Sequence, residues 1–169
     1  MGAYIKGTLD GAGLRIGIVV SRWNREITDG LYHGARRALI VAGVSEENIL
    51  TLEVPGAFEM SVALEHLASS DELDALVALG CVIKGETAHF EHISHAAMEG
   101  IREVSTRHQI PISCGLLTTY DIDQARERSG PDEENKGSEA ALAAVEMATL
   151  FENLESSLDW DTLSVGLSD

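Results

Sequence analysis

Four apolar runs constrain this chain more than any other feature. They are Leu14–Val20 (LRIGIVV), Ile49–Val54, Leu73–Ile83 and Ile112–Leu117, each bounded by glycine, proline or polar residues. All four read as strands, Leu14–Val20 as a continuous apolar one and Leu73–Ile83 as a buried one. Between them the spacing changes to that of helices. Residues 25–43 place Ile27, Leu31, Ala35, Ala38 and Ala42 on one stripe that stops at Gly43. Met60, Ala63, Leu64 and Leu67 follow Pro55-Gly56, and Phe90, Ile93, Ala97, Ile101 and Val104 follow the third run. A short helix near Ile122–Glu127 and a long one over Gly137–Leu154 close the pattern. Strands alternating with helices predict an α/β fold of three layers, α/β/α, around a central, mostly parallel four-stranded sheet. Ala3–Thr8 reads as an extra edge strand. The expected domain is 1–154, followed by an acidic, Ser-rich tail, 155–169, predicted to be mobile.

The charge narrows the choice of partners. The 169 residues carry 28 acids against 12 Lys and Arg, a net charge of −16. Such a surface repels nucleic acid and anionic membranes. It reads either as a well-solvated surface or as adaptation to high salt, where cations screen dense carboxylates. No apolar run reaches bilayer length and the N-terminus lacks a signal pattern, so a cytoplasmic protein is expected. Cys81 and Cys114 stand apart in strand-like contexts, without the spacing of a zinc site. Two buried thiols are expected.

Open parallel sheets bind ligands beyond the carboxyl ends of their strands. Here those ends carry Ser21-Arg22-Trp23-Asn24, Val54–Glu59, Val82–Thr87 and Leu117–Thr119. Trp23, directly after a strand, is either a stacking face for a flat heterocycle or a core indole. Glu59, three residues past Gly56, either caps a helix or accepts from hydroxyls of a polyol. Gly85-Glu86-Thr87 opens a helix at the end of the third strand, where backbone N–H groups suit an anion such as phosphate. His89 stands beside that turn and is assigned to proton transfer. The triplet His89, His92, His95 lacks H-E-x-x-H, and no metal is expected. Arg128 and Lys136 flank an otherwise glycine-, proline- and acid-rich loop, either as structural countercharge or as cations for an anionic substrate. Lys84 and Lys136 lack the apolar setting of a Schiff-base lysine.

Five stretches in order, Ile16–Thr28 (IGIVVSRWNREIT), Val54–Met60 (VPGAFEM), Gly80–His89 (GCVIKGETAH), Pro111–Thr119 (PISCGLLTT) and Asn135–Ala140 (NKGSEA), resemble the lumazine synthase family. The resemblance implies a flavodoxin-like fold whose N-terminal edge strand is added to a neighbouring subunit. It implies condensation of 5-amino-6-(D-ribitylamino)uracil with 3,4-dihydroxy-2-butanone 4-phosphate, giving 6,7-dimethyl-8-(D-ribityl)lumazine, phosphate and water, with no cofactor. Carried over, Trp23 stacks on the pyrimidine. Asn24, Ala57, Phe58 and Glu59 hold uracil and ribityl chain, and Val82 and Ile83 contact the heterocycle through their backbones. Gly85, Glu86 and Thr87 form the phosphate turn, and His89 transfers protons. Cys114, Arg128 and Lys136 come from the neighbouring subunit, Arg128 to phosphate. The family's assembly implies a homopentamer, or an icosahedral shell of pentamers.

Three features depart from the family's pattern. Cys114 stands where an aromatic residue is common, the loop Gly130–Asn135 is acidic rather than basic, and the tail is long. The alternative readings are an archaeal-type riboflavin synthase, and a non-catalytic lumazine- or flavin-binding shell protein.

Overall fold

A computed structural model describes residues 4–158. Four strands, β1 (Ile16–Ser21), β2 (Ile49–Val54), β3 (Ala75–Ile83) and β4 (Ile112–Thr119), form one sheet in the order β2-β1-β3-β4. All three pairings are parallel. The helices are α1 (Arg25–Val41), α2 (Met60–Ala68), α3 (His89–His108), α4 (Ile122–Glu127) and α5 (Lys136–Leu158), with a 3-10 turn at Glu46–Asn48. The apolar runs explain which strands lie inside. Every residue of β1 is buried, as are the first seven of β3, whereas β2 is largely exposed or half-buried. Central strands are covered above and below; edge strands are not.

Two cores follow. On one face Ile16, Ile18, Val77 and Leu79 pack with Ile27, Leu31, Ala35 and Leu39 of α1 and Ala141, Ala144 and Val145 of α5. On the other, Val19, Leu76 and Ala78 pack with Met60 and Leu64 of α2 and Ala97, Ile101 and Val104 of α3. This is the three-layer arrangement expected from the alternating pattern. The chain leaves β1 for β2 on one side and returns to place β3 on the other. The strand order therefore reverses between β1 and β3, where such sheets open a crevice.

The small residues of α5 mostly serve this chain. Ala140, Ala141, Ala144, Val145 and Ala148 are buried within it, leaving Met147 and Leu154 partly exposed. Tyr4–Thr8 does not form the expected edge strand in this chain's sheet. It runs along α5, where Thr8 N–H donates to Thr149 Oγ1 at 2.8 Å, Thr149 Oγ1 donates to Thr8 O at 2.9 Å, and Asn153 Nδ2 donates to Lys6 O at 2.9 Å. Side chains on successive turns of α5 thus bond both backbone groups of Thr8 and the carbonyl of Lys6. Ala3 lies outside the described residues. At the other end α5 continues to Leu158, so residues 155–158 of the expected tail are helical. The rest of that tail, and its expected mobility, lie outside the described residues. Among the described residues no helix is long and apolar enough to cross a membrane.

Candidate active site in two halves

The crevice between β1 and β3 is held together by Asn24. This residue adopts a left-handed conformation, φ 60° and ψ 47°, at the start of α1. Asparagine tolerates that region better than most side chains. Its carbonyl accepts from Ile27 and Thr28 N–H, while its Nδ2 donates to Cys81 O on β3 at 2.8 Å. One residue therefore turns the chain from strand into helix and ties β1 to β3.

Trp23, just before it, continues the ladder toward β2, its N–H donating to Pro55 O at 3.1 Å. The indole is 59% exposed, so it is a face offered to solvent and not a core residue. A Cβ at Gly56 would collide with the indole ring, which is why glycine stands there. Glu59 Oε2 accepts from Gly56 N–H at 2.9 Å, fixing the turn into α2. The two readings of Glu59 are thus partly reconciled, since one oxygen holds the turn. Ala57 is buried beneath the turn, and Phe58 stands out at 58% exposure. Val82 and Ile83, half-buried, end β3 beside these groups.

Beyond Ile83 the chain is exposed from Lys84 to His89. Thr87 Oγ1 accepts from His89 N–H at 3.4 Å, and Ala88 at the cap position makes no side-chain bond to the amides that follow. The first amides of a 20-residue helix are thus left beside Gly85, Glu86 and Thr87. His89 is the first residue of that helix; His92 and His95 are also exposed on it. The Lys84 ammonium is 45% exposed, 4.0 Å from Glu91. It is not a desolvated amine.

Cys114, Arg128 and Lys136 lie elsewhere. They line a cleft of about 490 Å³ between edge strand β4 and the start of α5, which contains none of Trp23, Phe58 or His89. Arg128 Nη1 donates to Gln124 O at 2.8 Å, and its partner carboxylate, Glu127, is 3.7 Å away. Lys136 Nζ pairs with Glu139 at 2.5 Å. Cys114 does not have the buried setting expected of it. It faces the open side of β4 because it stands on an edge strand, its sulfur 3.4 Å from Met98 Sδ. Protein crowded around the sulfur still pushes its thiol pKa up, with the Leu116 N–H pulling weakly the other way. Cys81 is buried as expected, its thiol pushed up to about 11 by burial.

Sequence reasoning missed the residue that builds this second half. Asn135 is 1% exposed and donates from Nδ2 to Gly30 O at 3.0 Å, Ser129 O at 3.1 Å and Gly130 O at 2.7 Å. Its Oδ1 accepts from Ser138 N–H at 3.0 Å, making it the cap of α5. It sits against Gly34 of α1, where a Cβ would strike its carboxamide. An Asn directly before a helical run is a start signal. That signal could have located the cap, though not its grip on α1.

The chain thus presents an exposed indole, a fixed carboxylate, a carboxamide bridge, a helix start and a histidine along one edge of the sheet, and two cations in a separate cleft. A family model for 6,7-dimethyl-8-ribityllumazine synthase matches residues 13–152, a span that takes in both halves. The chain therefore belongs to the 6,7-dimethyl-8-ribityllumazine synthase family, transferase-type enzymes of riboflavin biosynthesis that act on small molecules and work as oligomers.

Proposed function

We propose that the protein condenses 5-amino-6-(D-ribitylamino)uracil with 3,4-dihydroxy-2-butanone 4-phosphate to give 6,7-dimethyl-8-(D-ribityl)lumazine. The observation that carries this reading is the division of the groups. A stacking and proton-transfer half lies at the β1/β3 crevice, and the Arg128–Lys136 half lies in a separate cleft on the same chain. Each half lacks what the other has, so a second copy completes it. A homopentamer supplies such head-to-tail contacts, and an icosahedral shell of pentamers extends them.

In this reading Trp23 stacks on the pyrimidine, and Asn24, Ala57 and Phe58 border it. Val82 and Ile83 offer backbone groups to the ring. Glu59 holds its turn with one oxygen and accepts from ribityl hydroxyls with the other. Gly85, Glu86 and Thr87, with the first amides of α3, receive the phosphate. The neighbouring copy adds Arg128 and Lys136 to that anion and Cys114 to the wall. The amine of the uracil attacks the ketone, and one water leaves as the imine forms. Phosphate then leaves by elimination, and a second water is lost as the ribitylamine nitrogen closes the ring. His89 moves the protons these steps require. Much of the acceleration comes from holding two substrates in register. Arg128 and the turn amides stabilise the departing phosphate. The clustered cations answer a global charge of −16 that would otherwise repel the substrate.

The test is turnover with both substrates in high salt, following lumazine absorbance and phosphate release. Appearance of both supports the reading; ligand binding without either product refutes it. The same acidic surface supports a cytoplasmic protein adapted to high salt. Removing salt should lower its melting temperature, and full stability in dilute buffer would contradict that adaptation.

A further inference from the structure

We propose that Tyr120 and Gln124 are positioning residues that tie the phosphate turn of one site to the arginine serving the next. The inference rests on the two-half reading above. Tyr120 is 69% exposed, so core packing does not account for it. Its ring instead meets the two residues that bracket the turn. Lys84 Nζ lies 5.4 Å from the ring centroid, within cation–π reach, and the Phe90 ring lies 6.4 Å away at an interplanar angle of 37°. The main chain joins the same elements, because Lys84 N–H donates to Thr119 O at 2.9 Å. The turn Gly85–Thr87 and His89 are therefore clasped between two residues that both rest on Tyr120.

The other side of Tyr120 leads to Arg128. Tyr120 N–H donates to Gln124 Oε1 at 3.0 Å. Gln124 N–H donates to Asp121 Oδ1 at 2.8 Å, and Gln124 O accepts from Arg128 Nη1 at 2.8 Å. Gln124 thus grips Tyr120 with its side chain and Arg128 with its carbonyl. Helix α4, six residues long, is the body that carries both contacts. Phosphate pulling on the turn moves Tyr120, and through α4 it moves the guanidinium that reaches into the neighbouring copy's site. In a closed ring of copies the phosphate clamps become mechanically linked.

The experiment measures binding of inorganic phosphate by calorimetry, and turnover separately, for the wild type, Tyr120→Ala, Tyr120→Phe and Gln124→Ala. Losing one cation–π contact and one aromatic pair should weaken phosphate binding about tenfold in Tyr120→Ala. Tyr120→Phe keeps the ring and should stay near the wild type. Gln124→Ala cuts the link from the other side and should weaken phosphate as Tyr120→Ala does. The KM for the four-carbon phosphate should rise in parallel while that for the uracil substrate stays unchanged, a split that general destabilisation would not produce. Unchanged phosphate affinity in both alanine variants, or equal loss for both substrates, overturns the proposal while leaving the proposed reaction intact. A wild type that binds phosphate without turnover refutes the reaction, yet the alanine variants still decide the linkage. A wild type that binds no phosphate overturns both.

Discussion

Replacing Asn135 should do more damage than any change to an exposed site residue. The carboxamide is 1% exposed, offers its two hydrogens to the carbonyls of Gly30, Ser129 and Gly130, and caps α5 through Ser138 N–H. Asn135→Ala removes two donors and one cap acceptor and leaves their partners short of bonds. At about 1 kcal/mol for each lost bond the cost is about 3 kcal/mol. For a chain of this size that is a fall of roughly 6–12 °C in melting temperature. Thermal and urea unfolding at one fixed protomer concentration measure it, because assembly makes the midpoint concentration-dependent. Asn135→Asp separates the parts of the argument. It keeps an acceptor for Ser138 but turns a carboxylate toward three carbonyl oxygens, and should be at least as unstable at neutral pH. A loss below about 0.5 kcal/mol for Asn135→Ala, or an Asp variant as stable as the parent, would refute this account of how the loop is held.

Other outcomes follow from the same geometry. Trp23→Ala should raise the KM for the uracil substrate by about 5- to 100-fold, from the worth of one stacked ring, with Trp23→Phe much milder; equal effects on both substrates would remove the stacking role. His89→Ala should lower kcat by about 10²–10⁴-fold in steady-state assays while leaving uracil binding intact. Glu65 should shape the acid limb of stability. Its carboxyl is held below the ordinary value chiefly by the hydrogen bond from His108 at 2.9 Å, with partial burial opposing and Arg107 at 2.7 Å assisting. A lowered native pKa gives stability that is complete above the ordinary 4.5 and is lost as pH falls through the native value. Melting temperatures of Glu65→Gln should therefore fall less steeply below that pH than those of the parent, and parallel slopes would contradict the linkage.

How much of this was legible in the residues depends on the range of the interaction. The second apolar run matches β2 at Ile49–Val54, and the short helix expected near Ile122–Glu127 is α4. The rim carrying Trp23, Glu59, the Gly85 turn and His89 followed from the rule that loops after parallel strands share one edge. Contacts between distant segments were not legible. Nothing local in YIKGT shows that Thr149 and Asn153 will bond Thr8 and Lys6, so the course of Tyr4–Thr8 along α5 was not foreseen. The Asn24–Cys81 bond, the collision that keeps residue 56 a glycine and the reach of Asn135 to Gly30 depend on side chains meeting across the fold. The separation of Cys114, Arg128 and Lys136 from the rim carrying Trp23 and His89 was implied only by the resemblance, because spacing along a chain says nothing about which copy a residue serves.

The most direct test is complementation between two inactive chains. Copies carrying His89→Ala and copies carrying Arg128→Ala are each expected to be nearly inactive alone. Co-expressed in equal amounts, they place an intact His89 next to an intact Arg128 of a neighbour at about one interface in four, if copies mix at random around a head-to-tail ring. Lumazine formation should then recover to about a quarter of the wild-type rate per site. Mixed assemblies no more active than their parents would contradict a site built from two copies.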